Sequence, residues 1–174
     1  ITPEEQVVLT VAQVSPRKGI YDFMNLASKN PDTRFIWVGG FPYGLLSKDY
    51  LKIKMMMQNK PKNVLFTGFV RDIAEAYCAA DVFMMPTYAE TFGLAVLEAQ
   101  SCGLPVIARD IPEFHEVYQD SVRYFRTPDD AHAELSDEKT LHSCAARARE
   151  YSAKYDIKQV CKDHLSLYEE LVTS

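Results

Sequence analysis

Residues 86–108 read PTYAETFGLAVLEAQSCGLPVIA, and the spacing within them sets out a strand, a loop, a helix and a second strand. Upstream, Val82-Phe83-Met84-Met85 is a short apolar run fit for a buried strand, which Pro86 ends. Thr87 to Thr91 is then a loop. From Gly93 onward Leu94, Leu97 and Ser101 fall at helical spacing, and Cys102-Gly103-Leu104-Pro105 stops the helix before Val106-Ile107-Ala108 resumes as a strand. The loop therefore lies at the carboxyl end of a strand. In an open α/β sheet that edge collects ligands, because helix N-termini gather there with unpaired N–H groups.

Two carboxylates, Glu90 and Glu98, flank that helix start. The amides of Phe92, Gly93, Leu94 and Ala95 are expected to point from the first turn toward an anion, with Gly93 leaving room for its approach. Like charges bar the glutamates from binding phosphate themselves. They suit hydroxyl donors instead, and phosphate beside hydroxyls suggests a nucleotide sugar. Two solvated glutamates at a helix start remain the plain alternative.

The remaining segments repeat the strand–helix alternation. Gln6 to Val14 reads as the first strand, Ser15 to Gly19 as a turn, and Ile20, Phe23, Met24 and Ala27 as one face of a helix. Arg34 to Gly39 is the second strand, and Gly39-Gly40 either let the backbone pass close to a ligand or simply turn. Lys48 to Asn59 is a helix whose three consecutive methionines fit a half-buried face with one Met exposed. Val64 to Thr67 is the third strand, and Asp72 caps a helix from Ile73 to Ala79. After the central stretch, Arg109 to Glu113 opens another helix and Ser121 to Phe125 is a short edge strand. Thr127 to Ser136 reads mostly as loop, with Asp129-Asp130 as turn and cap chemistry. Two amphipathic helices, Asp137 to Tyr155 and Ile157 to Val172, close the chain. Six strands alternating with helices predict a Rossmann-like, doubly wound parallel sheet, an α/β fold, over a single domain spanning residues 1–174.

Composition bounds the function. The 174 residues suffice for one sizeable core, and a net charge of −5 argues against a general nucleic-acid binder. No apolar run approaches the roughly 20 residues that span a bilayer, and no signal-peptide pattern is present. The chain opens on Ile1 rather than Met, which leads us to expect a piece of a longer protein. Cys78, Cys102, Cys144 and Cys161 form no CxxC pair, and His142 with Cys144 or Cys161 with His164 lack a second ligand pair. No metal is expected, and the cysteines read as reduced thiols of a cytosolic protein.

Glu90-x7-Glu98, with FGL after the first Glu and EAxxCGLPVIA around the second, resembles the donor-site signature of family-four retaining glycosyltransferases of the two-domain GT-B fold. The likeness extends over VLTVAQVSPRKG, FIWVGG, NVLFTGFV, AEAYCAADVFMMPT and Ile111-Pro112-Glu113. It implies that Glu98 accepts from the ribose and Glu90 from the sugar of a UDP-sugar, most simply UDP-glucose. It implies further that Lys18, Arg17 and the amides near Gly93 hold the diphosphate, without metal, and that the backbone at Phe69 and Val70 receives the base. Lys18 matches the family's lysine. Gln13 stands where the family carries an arginine, and Arg17, in the same turn, is the candidate replacement. Many relatives have a Gly-rich turn where this chain has Arg109-Asp110.

The partners implied are the nucleotide sugar and an amino-terminal acceptor domain, toward which the terminal helix (about 157–174) normally packs. The resemblance is nearest to bacterial enzymes that glycosylate diacylglycerol lipids. That leaves room for peripheral contact of the full-length, cytoplasmic protein with the inner membrane face. A nucleotide-sugar epimerase half-domain and a non-catalytic receiver-like domain are the alternatives. The latter would need clustered acids at the first strand, where this chain has Gln13, Arg17 and Lys18. Alone, this domain is expected to bind donor and transfer poorly.

Overall fold

The computed structural model describes residues 5–173, so residues 1–4 and Ser174, the ends of the expected domain and of its terminal helix, lie outside it. Six strands form one sheet: β1 (Val7–Val11), β2 (Arg34–Val38), β3 (Val64–Gly68), β4 (Val82–Met85), β5 (Val106–Arg109) and β6 (Arg123–Phe125). Their order is β3-β2-β1-β4-β5-β6, and every pairing is parallel. The expected doubly wound α/β sheet is therefore present, with β6 at one edge.

Crossover helices cover both faces, so successive strand residues enter different cores. Val82 and Met84 join Phe23, Phe35, Trp37, Ile53 and Phe125 on one face. Phe83 and Met85 join Tyr77, Val96, Phe114 and Tyr118 on the other. An apolar run buried on both sides is what β4 requires at the centre of a parallel sheet. The first face is covered by α1 (Ile20–Lys29), α2 (Tyr50–Gln58) and α6 (Pro128–Ser136); the second by α3 (Ile73–Cys78), α4 (Leu94–Ser101) and α5 (Pro112–Tyr118). In α1 the residues at helical spacing, Ile20, Phe23, Met24 and Ala27, are all buried. In α2 Met56 and Met57 pack on the core while Met55 is exposed.

Several assignments differ from expectation, among them β6, which starts at Arg123 rather than Ser121, and β2, which ends at Val38 rather than Gly39. The first strand ends at Val11; the Ala12 and Val14 amides still donate to Val38 O and Gly40 O at 3.0 and 2.9 Å, and a 3₁₀ turn at Pro16–Lys18 follows. The second helix starts at Tyr50, after a separate 3₁₀ turn at Gly44–Leu46. The segment 127–136 is not loop but the helix α6: Thr127 caps it, Pro128 opens it, and Asp130 returns a bond to the Thr127 amide. Arg109 is not a turn residue but the buried last residue of β5. The chain ends in α7 (Glu138–Ala153) and α8 (Ile157–Thr173), and α8 has no buried residue.

Candidate nucleotide-sugar site

Strand order reverses between β1 and β4, and the loops that leave these two strands meet at that switch point. Gly19, at φ +81°, lies so close to the β4 loop that an added Cβ would sit 2.1 Å from the Pro86 carbonyl oxygen. The Tyr88 amide donates to the Arg17 carbonyl at 2.8 Å, and the Arg17 guanidinium donates back to the Ala89 carbonyl at 2.9 Å. Thr87 Oγ1 donates to Ala89 O at 2.9 Å. These bonds bring Lys18 against Glu90 in an ion pair whose side chains are 13% and 16% exposed. Residues 72 apart in sequence are thereby locked together, with most of the charge shielded from water.

Gly93 begins α4 in the left-handed region at φ +81°. Beneath it the Phe114 ring leaves 2.9 Å for a Cβ, and Glu90 Cγ leaves 3.4 Å. The glycine is thus required by its own backbone and by the Phe114 ring behind it. The Gly93 carbonyl accepts from Val96 N at 2.8 Å and from the Tyr118 hydroxyl at 2.9 Å. Phe92 is held between the Tyr118 and Tyr155 rings, while Leu94 is exposed and Ala95 half-buried. Among the described residues, the N–H groups of Phe92, Gly93, Leu94 and Ala95 make no backbone bond outside the helix ladder. They are the orphan donors of the helix start.

Glu98 stands one turn further along α4. Its carboxylate accepts from the Tyr77 hydroxyl at 2.7 Å, and Tyr77 also donates to Ala95 O at 3.3 Å. Tyr77 thereby fixes the rotamer of Glu98 and leaves the other oxygen free to accept. Glu98, Gly39, Phe69, Val70, Ile73 and Gln13 line a cleft of about 340 Å³. Phe69 is exposed, and its ring lies against Gly40. The expected residues therefore collect in two adjoining groups on one edge. Arg17, Lys18, Glu90 and Gly93 form one; Gly39, Phe69, Val70 and Glu98 form the other. A larger depression, of about 510 Å³, lies at the opposite edge among Glu5, Asp81, Glu138 and His142, away from every strand's carboxyl end.

Sequence reasoning missed what lies beneath this surface. Arg109 Nε donates to Pro86 O and Nη1 to Arg126 O, each at 3.1 Å, and Nη2 pairs with Asp22. Its guanidinium stacks 3.8 Å from the Tyr88 ring centroid, and the Tyr88 hydroxyl donates to Asp22 at 2.6 Å. One buried cation thus ties α1, the Glu90 loop and β6 together. Tyr77, Tyr118 and the Asp22–Arg109 pair carry no local pattern that announces them. Two expectations hold: Asp72 accepts from the Ala74 amide as an N-cap, and Asp130 completes a cap; Asp129, read as turn chemistry, instead lies in the first turn of α6 and pairs with Lys29. His115 is exposed and lies beside Asp110, whose carboxyl it, followed by Arg126, holds below the usual range.

Burial pushes the phenols of Tyr77, Tyr118 and Tyr124 well above the ordinary value of 10.0, and for Tyr77 the Glu98 carboxylate adds to the shift. These groups stay protonated in the fold and ionise sooner in the unfolded chain. Their contribution is fully present below pH 10.0, the ordinary tyrosine value, and is lost as pH rises beyond it. Melting temperature against pH should fall steeply above that value. Tyr118→Phe should make the fall shallower; an unchanged slope would contradict the assignment.

A model of the family "Glycosyl transferases group 1" matches residues 5–139. Among curated proteins, the alpha-galactosylglucosyldiacylglycerol synthase of Streptococcus pneumoniae is 31% identical over 98% of the chain and 47% of the relative. The processive diacylglycerol alpha-glucosyltransferase of Acholeplasma laidlawii is 36% identical over 67% of the chain and 35% of the relative. Among solved structures, sucrose-phosphate synthase from Thermosynechococcus elongatus superposes with a TM-score of 0.86 at 24% identity, over 99% of the chain and 47% of that protein. Anabaena HepE in complex with UDP-glucose gives 0.83 at 22% identity, over 96% and 49%. The chain spans about a third to a half of the length of the curated relatives it matches.

Proposed function

The chain belongs to the group 1 glycosyl transferases, and on that premise we propose that it is the donor-binding domain of a retaining hexosyltransferase. The observation that carries the reading is the convergence of Lys18, Glu90, the free amides at Gly93 and Glu98 on the carboxyl edge of one parallel sheet. A nucleotide-diphosphate sugar spans these groups in the order of its own chemistry. The base enters the cleft between Gly39 and Val70, where main-chain groups border an apolar wall. The ribose hydroxyls donate to Glu98, held by Tyr77. The diphosphate lies over the amides of residues 92–95 beside Lys18 and Arg17, and the hexose hydroxyls donate to Glu90.

Cleaving the glycosidic bond builds negative charge on the diphosphate. A cation and a helix start placed there stabilise the transition state more than the bound ground state. Glu90, engaged by Lys18, accepts hydroxyl groups and is not assigned as nucleophile. These groups supply the positive charge, so chelators should leave nucleotide affinity unchanged. The donor we favour is UDP-glucose, a choice supported by the UDP-glucose complex of the similar HepE fold. The acceptor we favour is a diacylglycerol lipid, as in the names of the Streptococcus and Acholeplasma relatives, held by a second, amino-terminal domain at the cytoplasmic face of the membrane. Family membership favours transfer over the epimerase and receiver-like alternatives.

Binding of UDP-glucose, UDP-galactose and GDP-mannose tests this directly. UDP-sugars should bind in preference to GDP-mannose. Glu98→Ala should weaken them about 10- to 100-fold, the worth of a hydrogen bond to a charged group. Equal binding of GDP-mannose, or indifference to Glu98→Ala, would contradict the proposed site.

A further inference from the structure

Two exposed apolar surfaces stand outside the donor site, and charge distinguishes them. One is α8, where Leu165, Tyr168, Leu171 and Val172 are exposed among Lys158, Lys162, Asp163, Glu169 and Glu170. The resemblance already assigns that helix to the acceptor domain. The other is the turn Gly44–Leu46 with the outer face of α2, where Tyr43, Leu45, Leu46, Leu51 and Met55 are each between 64% and 90% exposed. Leu51 and Met55 are four residues apart and share one face of the helix, and the turn carrying Leu45 and Leu46 packs against that helix.

This second surface is basic in an acidic protein. Residues 44–62 hold Lys48, Lys52, Lys54, Lys60 and Lys62 against Asp49 alone, a local charge of +4 in a chain whose net charge is −5. Asp49, itself exposed, accepts from the Tyr21 hydroxyl at 3.1 Å, so its carboxylate is engaged toward α1. Lys54 rests over the Phe41 and Tyr50 rings at 5.6 and 5.9 Å, which places its ammonium beside the apolar tip. Projecting leucines and a tyrosine within a lysine rim match the interface of an anionic bilayer: apolar tips enter the headgroup boundary while lysines meet phosphates. Among the described residues no helix is long and apolar enough to cross a membrane, so any contact made here is peripheral.

We propose that the turn at Gly44–Leu46 and the outer face of α2 form a docking surface for an anionic lipid bilayer. It holds the donor domain beside the plane from which a lipid acceptor is drawn. For its purpose the inference rests on the lipid-acceptor reading. Vesicle binding and nucleotide binding are measured separately on the same protein, so the two fail separately.

The test is sedimentation of the chain with vesicles of phosphatidylcholine alone and of phosphatidylcholine mixed with phosphatidylglycerol. The chain should pellet with the anionic vesicles and be released by salt. Leu45→Glu/Leu46→Glu and Lys48→Glu/Lys54→Glu should each weaken this roughly tenfold or more while leaving UDP affinity unchanged. Leu165→Glu/Val172→Glu on α8 should leave it intact. Absence of binding, equal binding to both vesicles, indifference to the patch variants, or loss through the α8 variant would each overturn the proposal.

Discussion

Arg109→Met should destabilise the domain by about 3–5 kcal/mol, the cost of removing one partner from a buried ion pair. The methionine keeps an apolar body against Tyr88 and Phe125, so the loss reports the charge and its hydrogen bonds rather than a cavity. Asp22, 17% exposed, would lose its cation, and the carbonyls of Pro86 and Arg126 would lose their donors. For a domain of this size the melting temperature should fall by about 10 °C. Arg109→Met/Asp22→Asn should recover part of the loss, because the second change removes the stranded carboxylate. Denaturation of the four proteins of that cycle measures the coupling; additive losses would show that Asp22 and Arg109 act independently.

Lys18→Ala carries the largest expected effect on nucleotide affinity. The ammonium stands between Glu90 and the proposed diphosphate position, so its removal deletes an attraction and exposes a repulsion. Truncating one member of a buried, hydrogen-bonded charge pair costs about 2–5 kcal/mol. UDP affinity should therefore drop roughly 30-fold at the least. Glu90→Gln in that background should restore part of it by removing the like charge. Calorimetric titration of both variants decides the matter, and an unchanged dissociation constant for Lys18→Ala would remove Lys18 from the site.

The strand–helix alternation was legible because each signal is local. Val82 to Met85 is continuous and apolar, Ile20 to Ala27 has a single helical face, and Asp72 precedes its helix by one residue. The reading of 127–136 as loop erred on a signal that was present. Thr127-Pro128-Asp129-Asp130 contains turn-forming residues, yet Thr at the cap, Pro at the first position and Asp at the third also begin a helix. Ala131 and Leu135, four apart and both buried, decide between the two. Glu90, Glu98 and Lys18 were legible through their motif context. The Asp22–Arg109 pair, the Tyr77 support for Glu98 and the Tyr118 support for Gly93 were not. Each joins distant segments, and neither spacing nor composition marks a pair that only the crossover connections bring together.

The most direct test of the donor-site assignment is a crystal structure of this chain grown with UDP. The base should lie in the cleft between Gly39 and Val70, the ribose on Glu98, and the diphosphate over the amides of residues 92–95 beside Lys18. A nucleotide seated instead in the depression among Glu5, Asp81 and His142, at the opposite edge of the sheet, would contradict the assignment.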